Sequence, residues 1–170
     1  MKREHLATVL AACALIGASC VFANISSRFA SRQKGSAVPA TAKGTFDVKA
    51  TPQPATDTVD STVSRLALEK QFHGDLAGLS TGQMLAAGTA FPGSAAYVAI
   101  EKVTGTLAGR RGSFILQHSG SMNRGTPSLH VSVVPDSGTD QLTGLSGNMS
   151  IEIKDGKHFY SFEYSLSGSH

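Results

Sequence analysis

The chain has no tryptophan, and aromatic and charged residues are scarce, at 6% and 16% of its length. Cysteine is nearly absent too: Cys13 and Cys20 are the only two, and both lie in the N-terminal leader. A chain cut after that leader has no thiol, which excludes a cysteine nucleophile, a disulfide and a cysteine metal site. Net positive charge is missing from the remainder. Residues 1–42 carry five Lys and Arg against Glu4 alone, while residues 43–170 carry ten against eleven Asp and Glu. The pI near 9.0 therefore belongs to the leader. An almost neutral folded part lacks the basic footprint of a nucleic-acid-binding surface.

Glycine is plentiful, with 18 residues set at short intervals between apolar runs. That texture favours many short strands and turns over long helices. A length of 170 residues is enough for one domain with a real core.

The leader has a recognisable order. Lys2 and Arg3 precede the apolar run "LATVLAACALIGA" (Leu6–Ala18), and "VFA" places Val21 and Ala23 at the small-residue positions of a cleavage site. This predicts a signal peptide over residues 1–23 and an exported protein, periplasmic or secreted. The alternative is a leader that stays uncut and anchors the chain in a membrane, because the run extended to Ala23 is long enough to span. "LAAC" (Leu10–Cys13) has the form of a lipoprotein box, but the apolar run continues past it. Residues 24–42, rich in Ser, Ala and Lys, read as a flexible tether.

From Lys43 the apolar pattern alternates with period two. Eight strands are predicted: Gly44–Thr51, Val63–Leu76, Thr81–Phe91, Ser94–Leu107, Gly112–Gly120, Ser128–Asp136, Gly147–Asp155 and Lys157–Leu166. Asp155-Gly156 is a strong hairpin turn, since both central residues accept positive φ. Short links between regular strands predict an all-β fold: a closed, eight-stranded, antiparallel up-and-down barrel over residues 43–170. Strands seven and eight are one-sided, with Met149, Ile151 and Ile153 opposite Glu152, and Tyr160, Phe162 and Tyr164 opposite Glu163. Strands four and five are apolar on both faces. A turn at Gly109–Gly112 with an even register puts Tyr97, Glu101 and Gln117 on one face and His118 with Phe114 and Leu116 on the other.

The runs "GTFDVK", "EKQFHGDLAGLSTGQML", "YVAIE", "GSFILQHSG" and "VVPDSGT" resemble the bacterial domain-of-unknown-function family numbered 3224, over residues 43–166. The resemblance implies a fold similar to allene oxide cyclase, a closed eight-stranded barrel. It implies no activity, since the family has none established.

Three functions follow as readings. The first is a small apolar ligand held in the lumen by Tyr97, Glu101 and Gln117, with His73 and Asp75 as a pair at the barrel mouth. The second is an isomerase or cyclase on an apolar substrate, with Glu101 or His118 as proton carrier. In that reading an apolar cup raises the carboxyl pKa of Glu101, and Glu101→Gln removes function at little cost in stability. The third is a structural module that forms a homodimer through the second apolar face of strands four and five. His73, His118, His130 and His158 lie on four strands without a ligand-like spacing, so no metal and no cofactor is read. Nucleic acid is excluded as a partner by charge, and a membrane is met only through the N-terminal segment.

Overall fold

The computed structural model describes residues 39–54 and 62–167. The expected signal peptide or anchor and nearly all of the expected tether lie outside the described residues. Eight strands close into one antiparallel barrel in chain order. They are β1 (Ala40–Pro52), β2 (Val63–Gly74), β3 (Leu76–Gly88), β4 (Ala95–Leu107), β5 (Arg110–Asn123), β6 (Thr126–Val133), β7 (Leu145–Lys154) and β8 (Lys157–Leu166). β1 starts ahead of the expected boundary at Lys43. Ala40–Ala42 pair with Phe162–Tyr164 of β8, and Ala42 is buried in the core.

Three hairpins use two-residue turns with both residues at positive φ: Ala108-Gly109, Arg124-Gly125 and Asp155-Gly156. Such turns match the right-handed twist of the flanking strands. The first corrects the sequence reading. The β4–β5 turn is Ala108-Gly109, not Gly109–Gly112, so Leu107 faces Arg110 and the register is odd. Ala99 lies opposite His118 and Glu101 opposite Leu116. A one-residue slip exchanges the faces of a strand, so His118 joins the Glu101 face and Gln117 leaves it.

The link between β2 and β3 also differs from expectation. β2 ends at Gly74, held at φ 104°, and β3 starts at Leu76 instead of Thr81. His73 and Gly74 pair with β1, while Leu76 and Ala77 pair with β4. Val63–Phe72 pair with Gly78–Ala87, so β2 and β3 form an antiparallel hairpin that reverses at residues 73–77.

Inward positions fill the lumen with Phe46, Phe72, Phe114, Leu116, Val131, Met149 and Phe162, all buried. One end is sealed. A 3₁₀ turn at Asp140–Leu142 drives Leu142 to 0% exposure beside Leu107 and Leu145. At the same end Tyr160 lies over Gly44, and its hydroxyl accepts from Leu76 N–H at 2.8 Å. That hydroxyl in turn reaches the carbonyls of His73 and Leu76 at 3.2 Å. At the opposite end, where β4 begins and β5 ends, the described residues form no such seal.

Candidate functional site

Four successive strands each send one polar side chain inward. They are Lys70 (β2), Ser80 (β3), Glu101 (β4) and His118 (β5), all buried, with Glu101 at 0% exposure. Lys70 Nζ lies 2.6 Å from Glu101 Oε2, and the Ser80 hydroxyl donates to Oε1. His118 Nε2 lies 3.0 Å from Oε2. That contact is close but poorly directed, because Nε2 makes no aligned hydrogen bond and is sealed from solvent. The Lys70 ammonium also sits 4.9 Å from the Phe46 ring centroid, on a face that attracts cations.

These partners decide the charge of Glu101. Burial pushes its carboxyl up, but the contacts from His118, Lys70 and Ser80 outweigh burial and hold it at about 2. The expectation of a raised pKa is therefore overturned: the apolar cup contains a cation and donors. Glu101 is a permanent anion at neutral pH and cannot be the proton donor of a reaction there.

Above this cluster lies a cavity of about 410 Å³ at the end where β4 begins and β5 ends. Met84, Ala86, Tyr97, Gly120, Met122 and Leu129 line it from inward positions. A further hollow, of about 710 Å³, lies beside Thr45, Glu152 and Phe159, which are outward positions of β1, β7 and β8. The cavity exists because the inward rows carry small residues at this level. Tyr97 faces Gly120 directly, and a Cβ on Gly120 would stand 2.2 Å from the tyrosine ring. The missing side chain lets the ring lie across β5 as the cavity floor.

Tyr97 and Tyr160 make a pair of opposites. Both rings cover a glycine on the neighbouring strand. The Tyr160 hydroxyl is fully engaged, while the Tyr97 hydroxyl makes no hydrogen bond to any described residue and is not sealed from solvent. Burial, and then the negative charge of Glu101, push the Tyr97 phenol up, so it stays protonated and can donate.

The remaining expected residues fall elsewhere. Gln117 is exposed on the outer wall, opposite Ile100, as the odd register requires. His73 and Asp75 form no pair and sit at the sealed end. His73 Nε2 lies 3.2 Å from Asp47, and Asp75 accepts from the backbone N–H of Lys43 at 2.8 Å. Gly74 between them, at positive φ, breaks the alternation that would have put them on one face. Two-sided apolar character in β4 is present: Val98 and Ile100 point outward beside Leu85 and are about half exposed. Among the described residues no three His, Cys, Asp or Glu converge as a metal-ligand set. Sequence reasoning missed Lys70 and Ser80. The signal was there for Lys70, which stands between Leu68 and Phe72 in the apolar row of β2 and so demands a buried anion.

A family model described as a protein of unknown function, DUF3224, matches residues 42–164. The chain belongs to the DUF3224 family. A crystal structure of a DUF3224 protein of unknown function from Shewanella oneidensis MR-1 is similar to it, at 49% identity and a TM-score of 0.73. The match covers 78% of this chain and 100% of that one. No curated protein matches the chain. The DUF3224 match covers nearly the whole barrel, including all four members of the buried cluster and the inward residues of the mouth cavity.

Proposed function

We propose that this DUF3224 barrel binds a small apolar ligand in the mouth cavity, with its single acceptor oxygen on the Tyr97 hydroxyl. The observation that carries the reading is the Tyr97 hydroxyl, which no described residue engages, at the floor of a cavity with apolar walls. Ligand sites commonly have this form: a largely apolar hollow of a few hundred Å³ with few polar groups that fix orientation. Met84, Met122 and Leu129 supply apolar contact, and a protonated phenol favours an acceptor such as a carbonyl or ether. Export belongs to the proposal through the leader pattern of residues 1–23, so the ligand is met outside the cytoplasm, or at a membrane surface if the leader is retained.

The test is a titration with a medium-chain saturated methyl ketone followed by calorimetry. Wild-type protein binds it, and Ala86→Phe, which fills the cavity, weakens binding by about tenfold or more, equivalent to about 1.4 kcal/mol. Leu85→Ala on the outer wall leaves binding unchanged. No binding to wild type, or equal binding to Ala86→Phe, overturns the reading.

A further inference from the structure

We propose that the outer wall of β3, β4 and β5 is a two-fold interface, at which two copies of this chain pack face to face around Val98 and Ile100. The inference is independent of the ligand-binding reading, because these two side chains lie on the outer face of β4 and take no part in lining the mouth cavity.

The outer wall is divided by chemistry. A sheet with one face in water normally alternates apolar inside with polar outside. β3 and β4 break that rule: Leu79 is 59% exposed, Leu85 47%, Val98 54% and Ile100 52%, all on outward positions. The register gathers them. Leu85 lies opposite Val98, whose other neighbour is Ser119, and Ile100 lies between Gln83 and Gln117. Charge avoids the same face. Among the outward positions of residues 79–87, 96–104 and 115–121, Lys102 is the only charged residue. The outward positions of β1, β2, β7 and β8 do carry charge, with Lys49, Glu69, Glu152 and Glu163 among them, and Lys49 lies 3.7 Å from Glu69.

These features select a second copy of the chain as the occupant. A two-fold contact sets each residue near the axis against its own copy. A charge at the centre would therefore meet a like charge, and this centre has none. The amides of Gln83 and Gln117 carry donors and acceptors together, so each can bond to the same residue across the axis. Two sheets packed face to face interdigitate their facing side chains, and Leu85, Val98 and Ile100 supply an apolar row for that. Size is consistent too. At the about 30–40 Å² that each residue of a standard interface buries, the outward positions of these three stretches bury roughly 500 Å² per copy, at the threshold of about 1,000 Å² in total for a specific contact. The expected dimer is thus a modest one that dissociates on dilution.

The test is sedimentation equilibrium over a dilution series, on the full chain as a bacterial host expresses and processes it. Wild type is dimeric at about 100 μM, a concentration that populates a micromolar dimer, and becomes monomeric on dilution. Val98→Glu sets two carboxylates against each other at the axis and weakens association by about a hundredfold or more. Its circular dichroism matches wild type, because the substituted side chain is half exposed in the monomer. Ile100→Gln adds no charge and weakens association by about tenfold, which keeps the test intact if Val98→Glu fails to fold. Glu163→Gln, on the charged wall, leaves association unchanged. An equal mixture of Val98→Glu and Val98→Lys forms more dimer than either variant alone. A wild type that stays monomeric at about 100 μM overturns the proposal, as does a dimer that survives both Val98→Glu and Ile100→Gln. A mixture no more associated than its two components overturns the two-fold arrangement.

Discussion

Glu101 and Lys70 bury opposite charges at 2.6 Å, so neither can be changed alone without cost. Glu101→Gln leaves the Lys70 ammonium buried without its anion and destabilises the fold by about 3–5 kcal/mol. This reverses the expectation that the amide would be tolerated. The double change Lys70→Met with Glu101→Leu recovers most of the loss, since apolar residues of similar volume replace buried ion pairs well. Urea unfolding of the single and double variants measures both effects. Acid acts on the same group. Glu101 titrates at about 2 in the folded chain against an ordinary 4.5, so its contribution is complete above the ordinary value and is lost as pH falls from there through about 2. The loss is on the order of 3 kcal/mol, and Glu101→Leu/Lys70→Met abolishes that part of the pH dependence. The two tyrosines separate structure from function: Tyr160→Phe leaves the Leu76 N–H unsatisfied and costs about 1–3 kcal/mol, while Tyr97→Phe changes stability by about 0.5 kcal/mol or less. Thermal unfolding of the two variants checks the contrast. Lys70 shows how much of this scale is legible in sequence. Its place in an apolar alternation signals a buried ion pair, but a period of two does not say which anion meets it. Only the register through β3 brings Glu101 there.

The strands themselves were largely readable, since the alternation from Gly44 onward yields eight strands and the Asp155-Gly156 turn appears as predicted. Register was not. Ala108 adopts φ 46°, an unusual state for alanine, so composition pointed to the glycines at 109 and 112 as the turn. That shift of the turn moved His118 from outside to inside. Gly74 had a similar effect at β2–β3, where the chain reverses tightly around Gly74 and Asp75 and β3 starts at Leu76. One element boundary is weak. β6 and β7 share a single register pair, Ser132 with Asn148, while β4 and β5 pair along their full length. Hydrogen exchange is therefore expected to be fastest among the barrel strands at the facing edges of β6 and β7, and slowest in β4 and β5. Equal protection across both seams contradicts this.

As a whole the barrel is built asymmetrically. One end is closed by Leu142, Leu145 and the engaged Tyr160, and the other holds small inward residues beneath which the charged cluster lies. The sealed end and the aromatic layers carry stability, which leaves the mouth end free to carry a binding function. The measurement that tests this most directly is an NMR titration of the isotope-labelled protein with a medium-chain saturated methyl ketone. Amide shifts at Ala86, Tyr97, Gly120 and Leu129 that saturate together, with the outer wall around Leu79 and Gln117 and the sealed end around Leu142 unmoved, are the predicted result. Shifts confined to the outer wall, or none at any concentration the ketone reaches in water, would contradict the account.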